Sequence, residues 1–151
     1  MSHLSIGIIK HRKGKKSSYL IMKVIDSDSY KFFEVNSTAI GARFEFSEFK
    51  KHLENYFELA KIEENQFKFL DESEWKSEKQ PSATIYEIEL NQEQFDTVRK
   101  QQKEKGIEWV EEKELKKTEW EDRQKPLISG TIEKIQSAKL VAFDNDFLTS
   151  V

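Results

Sequence analysis

The chain has 151 residues, about one ordinary domain, long enough to bury about two-thirds of its unfolded surface without disulfides or metals. Its 25 Lys and Arg against 28 Asp and Glu leave a formal charge of −3, so no dominant field draws in nucleic acid or membrane. With no cysteine, disulfides, thiolate zinc sites and thiol nucleophiles are excluded, and a reducing, cytoplasmic setting is expected, with specialised export as the other route.

The average conceals a polarity. Met1 to Lys23 holds six bases and no acid, a charge of +6 that leaves −9 for the remainder. No apolar run approaches the roughly 20 residues of a membrane span, so a membrane partner is not expected.

The front reads as strands. Leu4, Ile6 and Ile8 alternate with smaller positions, Tyr19 to Ile25 is nearly continuous in apolar residues, Tyr30 to Val35 follows, and Ala42, Phe44 and Phe46 alternate again. Gly14 suits a turn between the first two. Ser47 then reads as the cap of a helix whose face is Phe49, Leu53, Tyr56, Phe57 and Ala60. Gln66 to Leu70 is a possible short strand, Asp71 to Ser82 a polar loop holding Pro81, and Ile85 to Leu90 a strand with Tyr86, Ile88 and Leu90 inward.

Asn91 with Gln94 is a capping box, and the helix it opens should end at Gly106. The run IEWVEEKELKKTEWEDRQK carries Glu112 with Lys116 and Glu119 with Arg123 at helical spacing but no continuous apolar stripe, so it reads as a solvated helix. Two final strands, Thr131 to Gln136 and Lys139 to Phe143, complete the reading. The expected fold class is α+β: a mainly antiparallel sheet, with an N-terminal meander plus later strands, packed by two or three helices in one domain, 1–151.

Four groups of residues carry the functional argument. The turn KHRKGKK presents Lys10, Arg12, Lys13, Lys15 and Lys16 as a candidate grip for nucleic acid or another anion, without the glycine pair and Lys-Ser/Thr ending of a nucleotide loop. His3, His11 and His52 are scattered, with no ligand-spaced pair, so neither metal nor cofactor is expected. The stretch KLVAFDNDFLTS resembles the first motif of haloacid dehalogenase-like hydrolases, which would make Asp144 a nucleophile and Asp146 a general acid about magnesium. Phe147-Leu148 stands where that family has Gly-Thr, and the stretch is read as a strand end with a polar turn.

His3 in HLSIGII, with FFEVNSTAIGARFEFSEF, faintly resembles permuted papain-like hydrolases. Without a cysteine, that likeness implies an inactive or diverged hydrolase-like domain. Finally, Trp109 and Trp120 stand among charges with Glu111, Glu112 and Glu121, and Trp75 sits in a similar setting where core capping is the expectation. The leading expectation is a non-catalytic protein-binding domain that engages a basic partner through Trp109, Glu111, Glu112, Trp120 and Glu121, with Trp120 exposed.

Overall fold

A computed structural model describes residues 3–37, 42–77, 81–133 and 135. The order is β1 (His3–Lys13), β2 (Lys16–Lys23), β3 (Tyr30–Lys31), β4 (Phe33–Ser37), α1 (Ala42–Tyr56), a 3-10 turn (Glu64–Gln66), β5 (Phe67–Ser73), β6 (Ser82–Leu90), α2 (Gln92–Arg99), α3 (Gln102–Lys105), β7 (Ile107–Glu111) and α4 (Glu112–Leu115). Residues 125–133 are helical again and are termed α5.

The α+β class holds, but the sheet is mixed rather than mainly antiparallel, and the described residues form five α-helices where two or three were expected. Strands run β3-β2-β1-β6-β5, with β4 also on β1 and β7 on β2. The central pair, β1 and β6, is parallel from His3↔Ser82 to His11↔Leu90. A strand buried on both faces suits that place, and β1 has an unbroken buried run from Leu4 to Ile9. Its alternation divides the core. Leu4, Ile6 and Ile8 face one layer with Phe32, Leu115, Trp120, Ile128 and Ile132; Ile9 faces the other with Phe49, Leu53, Phe57 and Ile88.

Helix α1 lies along the second face with Glu45, Phe49 and Leu53 in a row four residues apart. The strand beneath is shaped to receive it. Gly7 has no Cβ, and one built there would stand 2.8 Å from Phe49 Cζ and 3.2 Å from Ile88 Cδ1, so the helix sits close because that position is glycine.

Strand β1 also changes partner along its length. His3 to Gly7 pair with β4, whereas Lys10 to Lys13 pair with β2 across the Gly14 turn. Between these registers, at Ile8 and Ile9, the sheet forks.

Several expected elements differ. Ala42 to Phe46 is the first turn of α1, not a strand, because a five-residue alternation fits either period and the row begun by Glu45 continues through Phe49 and Leu53. Helix α1 ends at Tyr56, and Glu58 takes a left-handed φ of 56°. The expected loop from Asp71 begins as strand, since β5 runs to Ser73. The expected solvated helix is instead β7, pairing with β2 from Ile107↔Met22 to Glu111↔Ser18, followed by the one-turn α4. Burial of Ile107 and Trp109 on one face and Val110 on the other outweighs the weak Glu–Lys pairs. Thr131 to Ile135 is helical where described, because Ile128, Ile132 and Ile135 supply a helical stripe onto the first layer. The expected strand Lys139 to Phe143 and the pair Asp144 and Asp146 lie outside the described residues.

Candidate functional site

The fork makes the cleft. Met22 at the end of β2, Lys31 of β3 and Phe33 to Asn36 of β4 form its sheet side, and His52 and Tyr56 of α1 close it, around about 340 Å³. A seam where strands part and a helix crosses is a common place for a ligand. One wall is apolar and aromatic: Phe33 meets Tyr56 at a centroid distance of 5.4 Å, and Tyr56 is 39% exposed.

The polar wall is organised from behind. Glu34 receives Lys31 at 3.6 Å and the Arg123 guanidinium, while the Gln124 amide donates to its other oxygen at 3.1 Å. Gln124 is wholly buried and acts as a strand partner for Phe32, accepting from its N–H and donating to its C=O, both at 2.9 Å. On the helix side, the Ser37 hydroxyl donates to Glu48 at 2.9 Å, and Glu48 stands 3.8 Å from His52 Nε2. Burial, then Glu104, raises the Tyr56 phenol above its usual range. Its ring therefore presents a neutral face to the cleft at physiological pH.

A second polar cluster lies under the start of α1. Glu45 is buried and accepts from the Ser5 hydroxyl and, at 2.5 Å, from the Tyr86 hydroxyl. His3 bridges Ser82 and Thr84 through its two ring nitrogens, each contact 2.8 Å, with Nε2 3.8 Å from Glu45. Burial first, and then the bond to Glu45, pushes the Tyr86 phenol strongly up. Ser5 is fully buried, and the cluster pins α1 to β1 and β6.

The expected partner-binding residues do not form one surface. Trp109 packs on the α1 layer and meets Phe95 edge-on at 4.8 Å, whereas Trp120 belongs to the opposite layer. Trp120 is 7% exposed, its ring 4.6 Å from Phe32 and its N–H donating to Leu115 O at 3.2 Å, which corrects the expectation that it faces water. Its backbone neighbours bind Tyr30, and that pairing draws the indole inward despite the charges around it. Glu111 is exposed and pairs with Lys113 at 3.5 Å, while Glu112 and Glu121 are half-buried. Trp75, expected to cap the core, is 43% exposed.

The basic hairpin is also divided. Lys10 bonds Glu87 at 2.6 Å and Arg12 bonds Glu89 at 3.2 Å, which leaves Lys13, Lys15 and Lys16 at the exposed tip. His11, assigned to that turn, is buried and stacked on Phe95 at 3.9 Å. His52, expected on the outer face of α1, is exposed there and also borders the cleft. The sequence signal for the cleft was the i, i+4 pair His52 and Tyr56; which strand it would face was not marked.

No family model matches the chain, and no curated protein matches it in sequence. Solved structures share its fold. A mutT/nudix family protein from Listeria innocua aligns at a TM-score of 0.66 and 9% identity, over 93% of this chain and 97% of that one. The C. elegans Ap4A hydrolase aligns at 0.59 and 9%, over 91% and 97%. The C-terminal domain of mouse MUTYH, solved in complex with human PCNA, aligns at 0.60 and 11%, over 91% and 90%. At these identities the likeness is one of fold. The expectation of a non-catalytic protein-binding domain is corrected on this finding, since the architecture recurs in proteins described as hydrolases. Among the described residues no helix is long and apolar enough to cross a membrane.

Proposed function

We propose that the protein is a diverged hydrolase that takes a phosphorylated nucleoside in the cleft between β2, β4 and α1. One observation carries this reading: on a fold also found in an Ap4A hydrolase, the forked sheet opens a cleft with an aromatic wall, the Lys31 ammonium and the His52 imidazole. A base finds stacking surface on the Tyr56 ring, which Phe33 backs, and the Asn36 amide offers both a donor and an acceptor.

Phosphoryl transfer is governed by positioning and by neutralising charge on the phosphate oxygens, work that divalent metals often do. Among the described residues no three His, Cys, Asp or Glu side chains come together to hold a metal ion. The described donors thus do not form a metal cage. Charge neutralisation falls to Lys31, and proton handling to His52 with Glu48 beside it. In this reading His52 accepts a proton from the attacking water, whose oxygen bonds to phosphorus as the anhydride oxygen leaves.

The test incubates purified protein with Ap4A or ATP and follows products by anion-exchange chromatography, with binding measured separately by calorimetry. The expected result is cleavage by wild type, slowed about 100-fold by His52→Ala with binding changed by no more than a few-fold. Binding without cleavage would remove the catalytic half of the reading, and no binding would remove all of it.

A further inference from the structure

His3 and Ser82 open the two parallel strands at the centre of the sheet, directly opposite one another, and neither lines the cleft. The Ser82 hydroxyl stands 2.8 Å from His3 Nδ1, and the other ring nitrogen, Nε2, stands 2.8 Å from the Thr84 hydroxyl. Charge decides which nitrogen carries the proton. Glu45 Oε1 lies 3.8 Å from Nε2, where a carboxylate favours an N–H over a lone pair, so Nε2 donates to Thr84 and Nδ1 keeps the lone pair that accepts from Ser82. Glu45 is itself held by the Ser5 and Tyr86 hydroxyls, which fixes the network from behind. Exposure separates the two hydroxyls beside the ring. Thr84 is buried, whereas Ser82 is half-buried and the His3 side chain is 24% exposed, so Ser82 is the hydroxyl within reach of an incoming molecule.

We infer that Ser82 is a nucleophile with His3 as its general base, and that the pair takes an acyl group from a neutral, activated carboxylic ester. A serine hydroxyl alone attacks slowly; a base held within about 2.6–3.2 Å, and oriented in turn by a third group, supplies the missing drive. Both conditions are met at 2.8 Å on the two sides of the imidazole. In the step, Ser82 Oγ bonds to the carbonyl carbon while its proton passes to Nδ1, and the Glu45 carboxylate stabilises the imidazolium so formed. The bond from carbon to the ester oxygen then breaks, and the alcohol leaves with the proton from Nδ1. An acyl-serine and a neutral imidazole remain, and a water activated by the same nitrogen releases the acid. The carboxylate beside the ring disfavours an anionic phosphate there, which sets the substrate class of this site apart from that of the cleft.

The test incubates native protein with a neutral alkyl fluorophosphonate, whose phosphorus takes the serine oxygen as fluoride leaves, and locates the adduct by peptide mass spectrometry. Ser82 should be labelled at least about 100-fold faster than Ser17, a half-buried serine on the hairpin that serves as the internal reference. His3→Ala and His3→Asn should each slow the Ser82 adduct by about 100-fold; asparagine keeps a hydrogen-bonding group on the strand but has no basicity, and unaltered circular dichroism and melting certify both variants. With p-nitrophenyl acetate, wild type should release p-nitrophenolate faster than Ser82→Ala. Labelling of Ser82 no faster than Ser17 overturns the inference, as does labelling unchanged in a folded His3 variant or release equal in wild type and Ser82→Ala. None of these probes is a nucleotide, so the outcome is independent of the cleft reading.

Discussion

Glu45 shows how much one buried carboxylate can organise. Two hydroxyls satisfy it, so removing the carboxylate strands both donors, whereas removing one hydroxyl leaves the other bond in place. Glu45→Ala should cost about 3 kcal/mol and Tyr86→Phe about 1 kcal/mol in urea unfolding. The Tyr86 phenol also sets a pH dependence. Its folded pKa lies above the ordinary 10.0, as does that of Tyr19, which burial and then Glu112 raise. Between the unfolded and folded values the native state holds protons that the unfolded chain has lost, so this stability is fully present below pH 10 and drains away above it. Tyr86→Phe should flatten the alkaline slope of a chemical-denaturation series.

At the scale of elements, the sheet is stitched by side chains acting as backbone. Gln124 pairs with Phe32 as a strand would and simultaneously holds Glu34 at the cleft, so Gln124→Ala should cost about 2 kcal/mol and loosen ligand binding by the same wall. Gly7→Ala acts differently. It drives a methyl into Phe49, so that ring or the helix behind it must give way, with a loss of about 1–3 kcal/mol in a melt or denaturant titration. Elements whose signals are local were legible in the sequence: Asn91 caps α2 with Gln94, the Gly14 hairpin closes at Lys13↔Lys16, and Gly106 stops the chain in the left-handed region, although the one helix expected between Asn91 and Gly106 is broken at Lys100 and Gln101 into α2 and α3. Strand β7 was not, because five residues with charges beside them carry little pattern, and its identity is conferred by β2.

Across the whole molecule, the unread part is what distant segments impose. Parallel pairing of β1 with β6 joins residues 79 apart, and nothing local in either strand specifies direction. The cleft inherits that opacity, since it exists only once β2, β4 and α1 are assembled about the fork. The tryptophans report the assembly directly. In single-Trp variants, iodide should quench Trp75 strongly and leave Trp120 nearly untouched; comparable quenching would contradict the placement of Trp120 on Phe32.

The layer that covers Leu4, Ile6 and Ile8 is completed by Ile128, Ile132 and Ile135, more than a hundred residues later. During vectorial synthesis β1 therefore leaves the ribosome well before the helix that completes the cover of one of its sides. A nascent chain stalled before α5 would leave part of that greasy strip uncovered for chaperones to bind.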